Sequence, residues 1–175
     1  MKSLIKRILP KFELYRVYQC QLSKSPVSKT QGYQAVRLSA DADYSSQAFF
    51  KNSANYDKPD SYGFGLLKER ELVAVQWYWY GEQSHQLDWW PIPEKAIMSM
   101  HIEVTQDCRG RGLGTALKGY ALNELSKLGF TNAYSRVWHN NKASISMNRK
   151  LGARQVGWLF CIFGRKFHFK SFSAS

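Results

Sequence analysis

The chain has 175 residues, of which 44% are hydrophobic and 15% are aromatic. This length is sufficient for one well-buried core and too short for two ordinary domains, and the aromatic content favours a strand-rich fold. The formal net charge is +12, which favours an anionic partner or, more simply, a solvated basic surface.

The cysteines support neither a disulfide framework nor a zinc site. Cys20, Cys108 and Cys161 are odd in number, far apart in sequence and without a CxxC pair, and no metal site is predicted. Neither a secretory signal nor a segment apolar enough to span a bilayer is visible. These features together predict a cytoplasmic protein.

The N-terminal segment, residues 1–11, is predicted to be an extension of a single domain over residues 12–170, with a tail over residues 171–175. Its apolar residues lie on one helical face, with basic residues elsewhere. This pattern fits peripheral contact with an anionic membrane, or a frayed or docked N-terminal turn.

The first half of the domain reads mainly as strands. Alternating and aromatic residues predict strands over residues 12–22 and 33–38, and candidate caps predict a helix over residues 43–52. After a turn-rich break over residues 55–61, two more strands over residues 62–67 and 71–80 form a hairpin.

A tryptophan-rich connection follows over residues 81–94. Its adjacent Trp89 and Trp90 fit two roles: a stacking platform for a sugar or other flat acceptor, or a cover for a hydrophobic edge.

The central feature is a strand, a loop and a helix start over residues 96–114. An apolar-leaning strand over residues 96–104 precedes a basic, glycine-rich loop, and apolar residues at spacings of three and four predict a helix from Leu113 to Leu128, capped by Gly129. Glycines at a helix start let backbone N–H groups approach a ligand, and the helix dipole favours negative charge there. Arg109 and Arg111 add forked donors suited to phosphate oxygens. The stretch predicts a site for a phosphate-bearing cofactor.

Downstream, a strand is predicted over residues 131–138, then a short helix that begins after Asn141. Residues 155–163 and 164–169 predict a terminal hairpin with a basic edge. The edge fits charge protection of a sheet border, with contact to nucleic acid or anionic lipid as the alternative.

The pattern Arg109-x-x-Gly112-x-Gly114 resembles the pyrophosphate-binding motif of the GNAT superfamily, the acyl-CoA-dependent N-acyltransferases. The stretch from Asn141 to Gly152, which ends in Lys-Leu-Gly, resembles that family's second motif. The resemblance covers residues 33–170. It implies an α/β GNAT fold: a central mixed, mostly antiparallel sheet of about seven strands flanked by helices, with a V-shaped splay between two parallel strands.

The resemblance also implies acetyl-CoA as co-substrate, held in the splay. The strand end would pair with the pantetheine arm, the loop would hold the pyrophosphate, and the second motif would lie near the arm and the sulfur. The implied cofactor-binding residues are Ile102, Glu103, Val104, Arg109, Gly110, Arg111, Gly112, Leu113, Gly114, Asn141 and Asn148.

The acid and base of the reaction are less clear from the resemblance. Asn148 stands where many members carry a Tyr that protonates the departing thiolate. An amide cannot donate a proton in this way, so water would protonate the thiolate instead. Arg136 stands where some relatives carry a Glu base. His101 and Glu103, two residues apart on one strand face, are the first candidates for the base. The other candidates are His139, Asp88 and Glu94.

The resemblance implies an N-acetyltransferase acting on a primary amine, with a small amine or amino sugar as the first choice of acceptor. Protein N-termini or lysines are the second choice, and a longer acyl donor also fits. A rival is a catalytically inactive acyl-CoA-binding module with a basic surface for anionic partners. Nucleic acid is the least favoured partner, and a homodimer is left open.

Overall fold

The computed structural model describes residues 12–22, 31–38, 50 and 52–171 of the chain. The predicted extension over residues 1–11 and nearly all of the helix predicted over residues 43–52 lie outside the described residues.

An eight-stranded mixed sheet is the centre of the structure. Its order is β2-β3-β4-β5-β6-β1-β7-β8. About seven strands were predicted, and the terminal hairpin places β8 at the far edge. The strands are β1 (Phe12–Gln21), β2 (Gln34–Arg37), β3 (Ser61–Lys68), β4 (Glu71–Trp79), β5 (Ala96–Val104), β6 (Asn132–Trp138), β7 (Arg154–Ile162) and β8 (Arg165–Lys170).

One parallel pair interrupts the otherwise antiparallel sheet. β5 and β6 run parallel from Ala96 opposite Asn132 to Ser99 opposite Ser135. All other neighbouring strands in the described part of the chain pair antiparallel. Because β5 and β6 both continue past their last paired residues, they diverge, and the predicted V-shaped splay is confirmed.

The helices α1 (Gly81–His85), α2 (Leu113–Lys127) and α3 (Lys142–Lys150) flank the sheet. α2 connects the two parallel strands, as such a crossover requires. Its apolar residues enter the main core as far as Leu125, whereas Leu128, predicted as the last residue of the helix, is 47% exposed. The helix ends before that residue, and Gly129, with φ of +90°, redirects the chain.

The tryptophan-rich connection covers a second core. Trp89 and Trp90 are 2% and 7% exposed and pack with Val17, Tyr134 and Leu159. The interpretation of this connection as a cover is therefore right, and its interpretation as an exposed stacking platform is wrong.

The outer strand β8 is exposed along its whole length. After Arg165, the side chains of Lys166, His168 and Lys170 alternate with Phe167 and Phe169, as the sequence indicates for a charged sheet border. None of the helices in the described part of the chain is long and apolar enough to cross a membrane.

Candidate active site

The divergence of β5 and β6 has a local cause in β5. Trp77 of β4 pairs with His101 and Tyr78 pairs with Ser99, which leaves Met100 as an extra residue. Such a bulge bends its strand and increases the local twist. Past Ser99, β5 remains paired with β4 but not with β6 in the described structure, so backbone groups along this edge are open to a ligand.

A buried glutamine holds the bulge in place. The Nε2 atom of Gln76 donates to the Ser99 hydroxyl at 3.1 Å and to the His101 carbonyl at 2.8 Å. Gln76 is fully buried, so these bonds fix the backbone on both sides of Met100. The sequence analysis missed this residue, although a glutamine within an apolar strand was a usable signal.

The glycine-rich loop places the start of α2 against the end of β5. Gly110 and Gly112 have φ of +77° and +78°, a left-handed conformation that suits glycine, and Gly112 is the N-cap of α2. The first turn of α2 contains no acidic residue, so its free N–H groups and helix dipole favour an anion. The Arg109 Nε donates to the Val104 carbonyl at 3.0 Å and ties the loop to the strand.

A cavity of about 600 Å³ opens where β5, this loop and the starts of α2 and α3 meet. Most of the predicted cofactor residues line it together. Arg111 and Asn148 are the two that do not line it, as the described residues define it. The lining consists of residues 101–104, 108–110 and 112–115 together with Asn141, Ala143, Ser144 and Met147.

Asn141 begins the second helix at this cavity. Its side-chain oxygen accepts the Ser144 backbone N–H at 3.1 Å, which caps α3. Loss of such a cap costs about 1 kcal/mol, so Asn141 has a structural role besides any contact with a ligand. Its side-chain NH₂ group is a separate donor that remains available for binding.

His101 and Glu103 form a polar pair in the cavity wall. The His101 Nε2 and Glu103 Oε2 atoms are 3.2 Å apart, and each side chain is about one quarter exposed, at 24% and 23%. Because a carboxylate only accepts, this bond requires a proton on Nε2. The carboxylate therefore orients the imidazole, as a pair that accepts a proton needs.

A short 3-10 helix, Ser53–Tyr56, packs against this pair. The Ser53 hydroxyl donates to the same Glu103 oxygen at 3.3 Å, and the Tyr56 ring stacks on His101 with centroids 4.6 Å apart. The Trp79 Nε1 anchors this helix by donating to the Tyr56 carbonyl at 2.7 Å. The sequence analysis missed both contacts, because the turn-rich composition of this segment does not indicate which strand it packs against.

The other three candidate bases lie elsewhere. The Nδ1 atom of His139 is 3.3 Å from the Leu14 carbonyl on β1. Asp88 and Glu94 are exposed residues of the tryptophan-rich connection. None of these three described residues lines the cavity, so the structure favours the pair on β5.

A buried lysine lies behind the cavity wall. Lys118 of α2 is 2% exposed, and its Nζ donates to the Ser135 hydroxyl at 2.8 Å and to Asn148 Oδ1 at 2.9 Å. Among the described residues, no carboxylate lies within 4 Å of this ammonium group. Burial lowers the pKa of Lys118 to about 8.

The side chain of Asn148 is therefore committed to the lysine. Its Nδ2 donates to the Ser144 carbonyl at 2.8 Å, while its oxygen accepts from the ammonium group. Asn148 was predicted to lie beside the cofactor, and Lys118 was not among the predicted residues. The available signal was a lysine four residues after Gly114 and three before Ala121, on the apolar face of α2.

The lowered pKa of Lys118 predicts a specific dependence of stability on pH. Since the folded pKa of about 8 lies below the ordinary 10.5, the charged form destabilises the folded state, and this cost disappears as pH rises from 8 to 10.5. We expect the unfolding free energy of the wild type to rise over this range, relative to Lys118→Met, by up to about 3 kcal/mol. Urea denaturation at pH 7.5 and 10.5 checks this, and an unchanged difference between the two proteins would contradict it.

The fold is similar to solved structures of N-acetyltransferases. A GCN5-related N-acetyltransferase from Kribbella flavida aligns over 99% of this chain and 65% of its own length, with 11% identity and a TM-score of 0.63. A glucosamine N-acetyltransferase region of a fungal multi-domain GH3 beta-N-acetylglucosaminidase aligns over 98% of this chain, with 15% identity and a TM-score of 0.63. The chain spans only 22% of that fungal protein.

A third similar structure is the ribosomal-protein-S18-alanine N-acetyltransferase from Escherichia coli. It aligns over 69% of this chain and 76% of its own length, with 18% identity and a TM-score of 0.55. At such low identities these similarities show the fold alone.

The sequence itself shows the family. A sequence model described as the Acetyltransferase (GNAT) family matches residues 28–153, which is more than half of the chain. No curated protein sequence matches significantly. The chain therefore belongs to the GNAT family, its mixed sheet is the GNAT fold, and the family indicates an acyltransferase.

Proposed function

We propose that this protein is an N-acetyltransferase that transfers the acetyl group of acetyl-CoA to the primary amine of a small molecule. The observation that carries the proposal is the single cavity that joins an anion-favouring end, at the start of α2, to the His101–Glu103 pair on β5. A polyanionic acyl carrier and a proton acceptor for an amine are the two requirements of this reaction.

The anion-favouring end suits the pyrophosphate of coenzyme A. The first-turn N–H groups of α2 would bind its oxygens, with Gly112 allowing close backbone approach. Arg109 lines the same part of the cavity, and the exposed Arg111 adds positive charge beside it. Loop and helix together would hold the phosphate groups.

The gap between β5 and β6 suits the extended pantetheine arm. The backbone of residues 102–104 would pair with the amides of the arm as a further strand would. The Asn141 side-chain NH₂ group, which its capping bond leaves available, would donate to an oxygen of the arm.

The His101–Glu103 pair would accept the proton that an incoming ammonium group must lose before attack. The Glu103 carboxylate would hold the imidazole in place, while Ser53 and Tyr56 fix the two side chains. A backbone N–H near Val104 would stabilise the negative charge that develops on the carbonyl oxygen. The aromatic surface beside the acceptor is then the Tyr56 ring and not the buried tryptophans.

The test is acetyl-CoA-dependent thiol release with a panel of acceptors: small alkyl and aryl amines, glucosamine, and peptides with a free N-terminus or lysine. We expect turnover with at least one small amine, because the cavity would place the proton-accepting His101–Glu103 pair beside the acyl group. Turnover with peptides alone would favour a protein acetyltransferase. Binding of acetyl-CoA without turnover on any acceptor would contradict the proposal and favour an inactive acyl-CoA-binding module.

A further inference from the structure

We propose that the Lys118 ammonium group, held by Ser135 and Asn148 at the closed end of the gap between β5 and β6, stabilises the coenzyme A thiolate that leaves during acyl transfer and returns a proton to it. This inference rests on the proposed function, because it assumes that a thioester is cleaved in this gap. It assigns to this chain a source of positive charge for the leaving group.

The first argument is the position of Ser135. It is opposite Ser99 in the last parallel pair of β5 and β6, so it marks the point where the strands separate. Neighbouring strands are roughly 5 Å apart, and two residues along a strand span roughly 7 Å. His101, two residues past Ser99, is therefore close to the group that accepts a hydrogen bond from Lys118.

The second argument is the proximity of the ammonium group to the cavity wall. Lys118 follows the cavity-lining Gly114 by one helical turn on α2. Asn148 directly follows Met147 and bonds to the carbonyl of Ser144, both of which line the cavity. One layer of residues thus separates the ammonium group from the cavity.

The third argument is that the charge has no counter-ion in the described part of the chain. Its two acceptors, a hydroxyl and an amide oxygen, are neutral, and no carboxylate is within 4 Å. Its titratable neighbour is the Cys20 thiol on β1, and the Tyr78 hydroxyl on β4 is fully buried in the core that contains Cys20. A desolvated cation with neutral partners is a cost to the fold, and an anion that forms nearby during the reaction would offset it.

The chemical step is balanced with the groups present. Attack by the amine nitrogen forms the amide bond and breaks the carbon–sulfur bond, whose electron pair stays on sulfur. The ammonium group then gives one proton to the thiolate by way of the Ser135 hydroxyl, which accepts its hydrogen bond, and this yields a thiol and a neutral lysine that regains a proton from cavity water by the same route. The pKa of Lys118, about 8, is close to that of an ordinary thiol, near 8.5, so the transfer is nearly balanced in free energy.

The experiment compares binding of free coenzyme A with binding of S-methyl-coenzyme A, which has no ionisable thiol. Both are titrated calorimetrically into the wild type, Lys118→Met and the control Lys127→Met between pH 6.5 and 9. Lys127 is an exposed lysine on the same helix, 62% accessible, so its replacement should leave both affinities unchanged.

In the wild type and the control we expect the thiol pKa of bound coenzyme A to fall by at least about one unit, because a nearby opposite charge favours the thiolate. At pH 9, above both thiol pKa values, the preference for coenzyme A over the S-methyl compound should then be roughly 8-fold larger than in Lys118→Met, and this difference should fade towards pH 6.5. An equal preference in the wild type and Lys118→Met would overturn the proposal.

A second measurement needs no folded variant. Titration of the wild type near pH 7 in buffers of different ionisation enthalpy counts the protons released on binding. We expect more protons to be released with coenzyme A than with the S-methyl compound, and equal values for both would overturn the proposal. If neither compound binds, the proposed function itself fails, whereas binding of both without a thiol effect removes only the role of Lys118.

Discussion

Replacement of Gly112 by valine is expected to abolish detectable binding of acetyl-CoA while the protein remains folded. The new side chain would project from the N-cap of α2, where φ is +78° and no described atom lies within 4 Å of the added Cβ. The folded chain therefore has space for the valine side chain, but this side chain would occupy the space that a pyrophosphate needs at the same N–H groups. We expect at least about a 100-fold rise in the dissociation constant, since several charge-assisted hydrogen bonds are lost together.

Gly129→Val is the matched control for this change. Gly129 lies at the other end of α2, has φ of +90°, and likewise has no described atom within 4 Å of an added Cβ. Each valine costs about 1–2 kcal/mol of backbone strain, so the two variants should lose similar stability. Unchanged affinity in Gly112→Val, or an equal loss in Gly129→Val, would contradict the placement of the pyrophosphate.

The second large effect is expected for Glu103→Gln. Glutamine keeps the shape and the backbone of residue 103 but removes the charge that orients and stabilises His101. We expect kcat to fall about 100-fold or more, since general base catalysis contributes at least this much. The rising limb of the pH–rate profile should flatten, because His101 is no longer oriented by a carboxylate to accept the proton.

The affinity for acetyl-CoA separates this role from a structural one. It should change less than about threefold in Glu103→Gln, because the proposed contacts at residue 103 are made by its backbone. Glu124→Gln, at a carboxylate that is 30% exposed and paired with Lys127 on α2, is the control and should leave both kcat and its profile unchanged. A Glu103→Gln profile that matches the wild type would remove the carboxylate from the reaction.

The strand, loop and helix over residues 96–129 could be predicted from sequence because their signals are local. The alternation and composition of β5, the glycines that adopt positive φ, and the apolar face of α2 each depend on neighbouring residues. The divergence of the parallel strands was predicted only from the resemblance to the family. Its cause, the bulge at Met100 supported by Gln76, depends on register between strands and has no local signal.

The polar partners of the site were less accessible to sequence reasoning. The pairing of His101 with Glu103 follows from the two-residue period of a strand and was predicted. Ser53 and Tyr56 reach this pair from nearly 50 residues away, and Lys118 meets Asn148 across two helices. Such contacts are set by the tertiary packing of separate elements, so no sequence spacing indicates them.

Asn148 illustrates the difference between a motif and its contacts. The resemblance places it near the sulfur, as a residue that cannot act as an acid. In the structure its carboxamide oxygen accepts a hydrogen bond from a buried ammonium group. The amide at position 148 therefore has a charged neighbour, the Lys118 ammonium group, which lies one layer of residues behind the cavity wall. This contact is the basis of the role proposed for Lys118.

The most direct test of the central claim is calorimetric titration of the protein with acetyl-CoA, beside free coenzyme A and a longer acyl-CoA. We predict binding in the micromolar range, about −8 kcal/mol, with a preference for acetyl-CoA over the longer acyl-CoA. Absence of binding to all three compounds would contradict the account. The chain would then have a GNAT fold whose cavity, between β5 and the start of α2, does not bind an acyl carrier.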